Sequence, residues 1–299
     1  MPKIIDVLLN AGSGGTADET SDQIVELFEQ HDIEARIHLI KEGVDAAKVV
    51  SNVAKSECDI LVACGGDGTV SLTAAAASDA NKPLGVLPLG TLNNFSKDLE
   101  IPQTLEEAVG VIARGHTTVI DLAEVNGRTF INNSSIGLYP QIVHDREKQQ
   151  RLGRGKWFAA FWAALKVLRF SHFLHVKLIV EDKEYRGKTP FVFVGNNDYE
   201  MDLYNIGRRP RIDEGKLSVY FLRRGGRRGV IVMLLKTMIG RVKQWDDFEE
   251  LQTEEITIVS RKRRLRVAFD GEVEMMTTPL EYKIRPQALT VIVAGEKSE

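Results

Sequence analysis

The sequence predicts an α/β domain with a doubly wound, mostly parallel sheet, followed by an all-β, sandwich-like domain. Over the first 120 residues, short β-rich runs alternate with helical patterns, which is typical of parallel βαβ units. Beyond that point the chain changes to short strands separated by turn sequences. Its 299 residues, 43% of them hydrophobic, can fill two cores, so we expect domains at residues 1–120 and 121–284.

The first domain is expected to contain four strands and four helices. Its strands are predicted at residues 4–9, 36–40, 60–63 and 84–87. Three helices are predicted at residues 18–31, 45–56 and 70–79. A fourth helix begins with a capping box formed by Thr104 and Glu107 and ends near Gly115.

The second domain is expected to consist mainly of short antiparallel strands. Asn126 and Gly127 predict a tight turn between strands at residues 119–125 and 129–133, because both residue types accept positive φ angles. Further strands are predicted at residues 175–180, 191–194, 217–222, 256–259, 265–269 and 280–284. Two helices, near residues 156–169 and 230–243, are predicted to interrupt them.

The cysteine spacing and the hydropathy pattern indicate the cellular compartment in which the protein is expected. Cys58 and Cys64 lie in an extended run about 20 Å apart, too far for a disulfide, which suits a reducing interior. The first residues show no pattern of a signal or transit peptide. The longest apolar stretch, residues 157–168, contains Lys166 and is shorter than the ~20 residues that span a bilayer. We therefore expect a cytoplasmic protein that is soluble or peripheral at the inner membrane face.

A glycine-rich segment, Gly65-Gly66-Asp67-Gly68-Thr69, follows the buried-type third strand and precedes a helix. Such a bend lets backbone N–H groups and a helix N-terminus approach phosphate oxygens. Asp67 would repel phosphates unless it acts through a metal ion or polarises an acceptor hydroxyl group. The alternative is that these residues form only a tight turn.

Two other polar loops follow predicted strands, at residues 10–15 and 88–95. Loops at the carboxyl ends of parallel strands gather on one edge of a sheet, where ligands bind. The chain has neither the Gly-x-x-x-x-Gly-Lys-Ser/Thr pattern of a P-loop nor the Gly-x-Gly-x-x-Gly pattern of a dinucleotide site. The three loops therefore indicate a phosphate site of another type.

Four motifs, in this order, resemble those of the diacylglycerol kinase catalytic domain family. They are Asn-x-x-Ser-Gly at residues 10–14, Gly-Gly-Asp-Gly-Thr at 65–69, Pro-Leu-Gly-Thr-x-Asn-x-Phe at 88–95 and Asp-Gly-Glu at 270–272. The resemblance covers nearly the whole chain. It implies a nucleotide-binding α/β domain, a β-sandwich, a cleft between them and a C-terminal tail, residues 285–299, that returns to the first domain.

The resemblance also assigns residues to the reaction. It places around ATP the residues Asn10, Gly65, Gly66, Asp67, Gly68, Thr69, Val70, Ser71 and Thr91. It puts Asp67 near the Mg²⁺-bound phosphates and makes Glu272 the general base, which agrees with the need to take a proton from an alcohol. Asp270-Gly271 can equally be a hairpin turn between strands at 265–269 and 273–276, and both interpretations can hold together.

A second, structural Mg²⁺ site is implied by the segment at residues 210–217. Glu214 would supply a carboxylate, and Arg211 and Lys216 would supply backbone carbonyl groups. This chain has Ser218 where the family usually has a second acid. A plain surface turn is the alternative.

Three functions compete at this point. The first is a kinase that transfers the γ-phosphoryl group of ATP to a lipid, most simply diacylglycerol or a related glycerolipid. The second is a kinase of a soluble alcohol or nucleotide, similar to NAD kinases, but Asn93-Asn94-Phe95 stands where those enzymes show an Asn-Glu pair. The third is a nucleic-acid binder that uses the basic runs at residues 223–228 and 261–266. These runs lack interleaved aromatic residues, so no nucleic-acid partner is expected.

A lipid kinase must also reach a membrane surface. Residues 146–169 combine basic residues with an apolar, partly aromatic stripe and could lie on a bilayer. The alternative is an ordinary amphipathic helix that packs on the sandwich. The sequence leaves a homodimer open.

Overall fold

The computed structural model describes residues 3–12, 17–41, 45–137, 173–199, 209–222 and 248–295. The chain divides into two compact units, one of Met1–Leu122 with Pro286–Glu299 and the other of Ala123–Arg285. The first has a mostly parallel sheet with helices and the second is all-β, which confirms the predicted fold class.

The first unit is built on four parallel strands: β1 (Lys3–Asn10), β2 (Ile33–Ile40), β3 (Ile60–Gly65) and β4 (Leu84–Pro88). Their order is β2-β1-β3-β4, and the end of the last strand of the chain, β16 (Leu280–Ile292), pairs in parallel with β4. The helices are α1 (Ala17–Glu29), α2 (Ala46–Val53), α3 (Asp67–Asp79), α4 (Asn94–Asp98) and α5 (Leu105–Arg114).

The register of these strands aligns the loops that follow them. Leu9 of β1 pairs with Cys64 of β3, and Gly65 of β3 pairs with Pro88 of β4. Every residue of β3 and β4 is buried, as expected for strands covered by helices on both faces. The three loops predicted to bind phosphate therefore begin at one level of the sheet. Cys58 and Cys64 are free thiols, as predicted.

One helix begins earlier than predicted and another was not predicted, while α1 and α2 end two and three residues before their predicted ends at residues 31 and 56. Helix α3 begins at Asp67, three residues before the predicted start at residue 70, so the aspartate lies in its first turn. Helix α4 was not predicted, because Asn93 and Asn94 are turn-forming residues. Asn93 has φ 50° and ψ 46°, and the next two amides donate to Asp67, so a residue distant in sequence starts this helix.

A buried carboxylate lies in the middle of the parallel sheet. Asp6 of β1 is 0% exposed and accepts hydrogen bonds from Nε and Nη2 of Arg36, at 2.9 and 3.0 Å. His38 Nε2 lies 2.9 Å from the same carboxylate, and the Ser56 hydroxyl group donates to it. Burial would raise the pKa of Asp6, but the hydrogen bonds from Ser56, His38 and Arg36 outweigh it and lower the pKa to about 2.

This pKa predicts acid-dependent stability. Because the Asp6 pKa is depressed below its ordinary value of 3.8, its contribution is present above pH 4 and is lost as the pH falls toward 2. We expect Asp6→Asn to lower the free energy of unfolding by roughly 2 kcal/mol at pH 7 and to flatten its pH dependence in that window. Urea unfolding at several pH values measures this. An Asp6→Asn variant with wild-type stability at pH 7 would contradict this prediction. The control is Asp22→Asn, which changes an exposed carboxylate of α1.

The second unit is made of antiparallel strands in two sheets. Its strands are β5 (Thr117–Val125, which begins in the first unit), β6 (Arg128–Phe130), β7 (Asn133–Gly137), β8 (Leu174–Val180), β9 (Lys183–Thr189), β10 (Phe191–Asn196), β11 (Leu217–Leu222), β12 (Phe248–Thr253), β13 (Glu255–Ser260), β14 (Arg264–Phe269) and β15 (Glu272–Thr277), with the start of β16. One sheet has the order β12-β11-β10-β7-β14-β15, and in the other β13 lies between β16 and β8. The core between the sheets includes Val194 and Val219 from the first and Leu178 and Ile258 from the second.

Three of these strands were not predicted. Strands β7 and β9 are largely polar, and β12 has acidic residues where a strand pattern would be apolar, so their own residues give little β signal. Their neighbours in the sheets hold them. The predicted turn at Asn126-Gly127 is confirmed, with φ 49° and 77°. The helices predicted at 156–169 and 230–243 lie outside the described residues, as does the basic run at 223–228.

Candidate active site

The glycine-rich loop of the first unit touches the loop after β4 through its backbone. A Cβ on Gly90 would lie 2.4 Å from Gly66 Cα, and a Cβ on Gly65 would lie 2.8 Å from Thr69 Oγ1. Neither space admits a side chain, so these glycines are required by close approach rather than by an unusual backbone angle. The two loops therefore pack directly against each other at the N-terminus of α3.

Asp67 ties the same two loops together by hydrogen bonds. Its Oδ2 accepts the N–H of Asn94 and its Oδ1 accepts the N–H of Phe95, both at 3.2 Å. The carboxylate is partly exposed, and each oxygen keeps a lone pair. The structure thus gives Asp67 a positioning role that the sequence did not indicate, while its predicted role beside Mg²⁺ stays a prediction.

Asn10 connects the loop after β1 to the glycine-rich loop. Its Nδ2 donates to Thr69 Oγ1 at 3.3 Å, and its Oδ1 accepts the N–H of Gly12 at 3.0 Å. Ser13 and Gly14 of the same motif lie outside the described residues. The structure therefore brings together three segments that the sequence separates by up to 83 positions, from Asn10 to Asn93.

The remaining predicted nucleotide residues differ in exposure. Thr91 is exposed on the loop after β4, and Gly68 is partly exposed. The side chains of Val70 and Ser71 are buried in α3, at 3% and 7% exposure. The Val70 N–H donates to the carbonyl of Gly66 at 3.1 Å, as the first turn of a helix requires. Thr91 is thus better placed than Val70 to contact a ligand with its side chain.

Asn93 is the asparagine of the motif at residues 88–95, to which the sequence reasoning assigned no role of its own. Its Nδ2 donates to Gln103 Oε1 at 3.2 Å, and within the described residues its buried Oδ1 has no hydrogen-bond partner. A Cβ on Gly90 would lie only 2.7 Å from this Asn93 oxygen, so the glycine leaves room for it. Its left-handed backbone conformation is one that asparagine accepts more readily than most residues, which is the available sequence signal.

In the second unit, Asp270 and Gly271 form the turn between β14 and β15. Their φ angles are 47° and 91°, and Phe269 pairs with Glu272 across the hairpin, which confirms the turn interpretation. The Asp270 carboxylate accepts the N–H groups of Ile131, Asn132 and Asn133 at 2.7, 2.8 and 3.2 Å. The turn is therefore fixed to residues 131–133, where β7 begins.

Glu272 begins β15 directly after this turn. Its side chain is exposed, and the described residues give it neither a hydrogen bond nor an ion pair. The fixed turn before it sets the position of this carboxylate. These features suit the predicted base, whose role stays a prediction.

Asp270 supports a prediction about stability. We expect Asp270→Asn to lower the free energy of unfolding by about 2–3 kcal/mol, because an NH₂ group would face an N–H group that now donates to a carboxylate. Asparagine keeps the turn's preference for positive φ, so the effect isolates the hydrogen bonds. Urea unfolding measures the loss, with Asp182→Asn in an exposed turn as control. Equal stability of the two variants would be incompatible with this role.

The segment proposed to bind a structural metal is held by an asparagine side chain. Asn197 Oδ1 accepts the N–H groups of Glu214 and Lys216, at 3.0 and 3.5 Å. The Lys216 carbonyl already accepts the Asn197 N–H at 2.9 Å, and the Arg211 side chain pairs with Asp213 at 3.2 Å. Among the described residues, no three His, Cys, Asp or Glu side chains gather as metal ligands. These contacts suit the turn interpretation, and the structural Mg²⁺ site stays a prediction.

Comparison with known proteins decides the family. Residues 5–125 match the family model of the diacylglycerol kinase catalytic domain, and residues 141–293 match that of the YegS C-terminal NAD kinase beta sandwich-like domain. The chain belongs to the diacylglycerol kinase catalytic domain family. This confirms the resemblance that the four motifs predicted.

Curated relatives of this diacylglycerol kinase family member come from bacteria. A diacylglycerol kinase of Bacillus subtilis is 24% identical over 281 residues, which cover 93% of this chain and 91% of the relative. A diacylglycerol kinase of Staphylococcus epidermidis is 28% identical over 177 residues, but the match covers only 58% of this chain and 56% of the relative. The chain thus spans little more than half the length of that relative.

A solved structure shows the same fold. The crystal structure of a diacylglycerol kinase from Bacillus anthracis has a TM-score of 0.71 with this chain, at 22% identity, and covers 98% of this chain and 97% of that one. At this identity the likeness supports the fold of the family member and not its substrate. In the part of the chain that the structure describes, no helix is long and apolar enough to cross a membrane.

Proposed function

We propose that this protein transfers the γ-phosphoryl group of ATP to the hydroxyl group of a lipid, with diacylglycerol or a related glycerolipid as acceptor. The junction of the three loops carries the proposal. Asn10 donates a hydrogen bond to Thr69, and Asp67 accepts hydrogen bonds from the backbone amides of Asn94 and Phe95. A phosphoryl-transfer enzyme needs such a fixed set of groups, because most of its rate comes from positioning and charge stabilisation.

The nucleotide would bind at the loop junction. The glycines at 65, 66 and 90 let the two loops pack together at the start of α3, and phosphate oxygens would bind the N–H groups at the N-terminus of that helix. ATP is used with Mg²⁺, which neutralises charge on the phosphates when bound. Asp67 would face that ion through its remaining lone pairs while its present hydrogen bonds keep the two loops in register.

Glu272 would take the proton from the acceptor hydroxyl group. An alcohol is a weak nucleophile, and a carboxylate in hydrogen-bond reach typically contributes a factor of about 10²–10⁴ to its rate. Asp270 would act through Glu272 as a positioning residue, since its three backbone hydrogen bonds fix the turn. We further propose a cytoplasmic location with access to the inner face of the membrane.

A kinase of a soluble alcohol or nucleotide is the second candidate. The description of the second family model as an NAD kinase beta sandwich-like domain favours it. The names of the curated relatives favour a lipid.

The proposal can be tested by incubating the purified protein with γ-labelled ATP, Mg²⁺ and a total lipid extract. We expect label in the organic phase, in a product that chromatography and mass spectrometry identify as a phosphorylated glycerolipid. The Asp67→Asn variant, incubated in parallel, controls for contaminating kinases. Label found only in a water-soluble metabolite would exclude the lipid acceptor and support the second candidate.

A further inference from the structure

Five cations lie together on one end of the β14–β15 hairpin. This basic patch consists of Arg261, Lys262, Arg263, Arg264 and Arg266, and all five side chains are exposed. Within the described part of the chain none of them makes an ion pair. The turn that carries the first three is fixed, because Thr278 donates from its N–H and its hydroxyl group to carbonyls of this turn. The protein as a whole has a net charge of -3, so the positive charge is local.

Two exposed apolar side chains lie next to the basic patch on the same face of the sheet. Arg266 pairs with Met275 and Ala268 pairs with Val273, and paired residues point to the same side. Leu265 and Val267, which alternate with the arginines, belong to the core, so the patch lies on the opposite face. Met275 is 49% exposed and Val273 is 46% exposed, on the last strand of its sheet.

Acidic residues do not neutralise this face. The nearest carboxylates along β15, Glu272 and Glu274, alternate with Val273 and Met275 and so lie on the other side of the strand. Glu274 is paired with Arg128 at 3.4 Å. The face therefore presents uncompensated cations beside apolar side chains.

We propose that the basic patch, with Val273 and Met275, docks the protein on a bilayer that contains anionic phospholipids. Arginine and lysine near such a surface are attracted to the headgroups, and exposed apolar side chains gain by entering the interface. This inference rests on the proposed lipid kinase function, for which it names the surface that meets the membrane. Strand β15 begins at Glu272, so the far end of the patch is about 17 Å from the proposed base along the strand.

Other occupants fit this face less well. A second copy of the chain, pairing through the open edge of β15, would bring two sets of five cations close together. A nucleic acid would use the charges but would leave Val273 and Met275 without a role, because single strands are held by stacking on aromatic rings. The pairing of cations with aliphatic side chains favours a lipid surface.

The test is co-sedimentation of the full chain with vesicles of phosphatidylcholine alone or with about one quarter phosphatidylglycerol. We expect the partition coefficient on anionic vesicles to fall roughly 10- to 30-fold in Arg264→Gln/Arg266→Gln. It should also fall in Met275→Gln, and binding should weaken at high salt. The matched control is Lys183→Gln/Lys283→Gln, which removes two exposed cations outside the patch and should bind like the wild type.

Several results would overturn this inference. If Arg264→Gln/Arg266→Gln and the control Lys183→Gln/Lys283→Gln lost vesicle binding equally, binding would depend on net charge and not on the patch. Unchanged vesicle binding in Arg264→Gln/Arg266→Gln would also overturn it. Sedimentation as a dimer that this variant disrupts, or binding of RNA in place of vesicles, would assign the face to those partners. Wild-type protein that binds anionic vesicles but phosphorylates no lipid would refute the proposed function alone. In turn, a variant that loses vesicle binding should keep its turnover on a short-chain acceptor dispersed in detergent.

Discussion

Replacing Glu272 by glutamine is expected to lower kcat for lipid phosphorylation by about 10²–10⁴-fold and to leave the midpoint of thermal unfolding unchanged. Glutamine has the size of glutamate but cannot take the proton from the acceptor hydroxyl group. The fold should not respond, because the side chain is exposed and has no partner among the described residues. Steady-state kinetics with ATP and diacylglycerol in mixed micelles, together with a melting curve, measure both effects.

Glu274→Gln is the matched control for this prediction. Glu274 lies two residues along on the same face of β15 and pairs with Arg128 at the surface. Such an ion pair contributes only about 0–1 kcal/mol, so the control should keep wild-type turnover. If Glu272→Gln were as active as Glu274→Gln, Glu272 would not be the base.

Asp67→Asn is expected to reduce kcat/KM at least 100-fold and, unlike Glu272→Gln, to lower the free energy of unfolding by about 1–2 kcal/mol. Both carboxylate oxygens accept backbone amides of α4, whereas asparagine offers one oxygen and turns an NH₂ group toward the other amide. The loop after β4 should therefore lose its register with the glycine-rich loop. Enzyme kinetics and urea unfolding measure the two losses.

Asp18→Asn is the control for the loss of a carboxylate from the first turn of a helix, because Asp18 and Asp67 both lie in such a turn. It removes an exposed carboxylate from the first turn of helix α1 and should cost less than about 1 kcal/mol, with no loss of activity. If Asp67→Asn lost activity but kept wild-type stability, its role would lie with the nucleotide alone. If it kept both, the loop junction would not be part of the site.

Much of the fold could be predicted because the residues themselves carry the signal. Strand β3 is a continuous apolar run, β1 is an apolar run interrupted by Asp6, and α5 has its C-cap at Gly115, with φ 72°. The structure places Thr104 at the N-cap of α5 as predicted, but its hydroxyl group donates to Glu107 Oε2 at 2.6 Å and its side chain does not cap the helix N–H groups. Strand β7 could not be predicted, because its polar residues are held by neighbours in the sheet. Helix α4 depends on Asp67, 27 positions before Asn94.

The sequence predicted which loops form the site but not the hydrogen bonds that join them. The positions of the glycine-rich loops after β1, β3 and β4 follow from strand order, and the structure brings them together. The hydrogen bonds of Asp67 with α4, of Asp270 with residues 131–133 and of Asn197 with residues 214–216 join distant segments. A local pattern cannot contain such pairs, because each partner is an ordinary backbone N–H group.

The most direct measurement is the ratio of labelled lipid phosphate to ADP formed by the purified protein with Mg²⁺, γ-labelled ATP and diacylglycerol in mixed micelles. We expect one labelled phosphate in the lipid for each ADP formed, with both products formed about 10²–10⁴-fold more slowly when Glu272→Gln replaces the wild type. ADP formed with label only in inorganic phosphate, or no ADP with any glycerolipid acceptor tested, would contradict phosphoryl transfer to a lipid hydroxyl group.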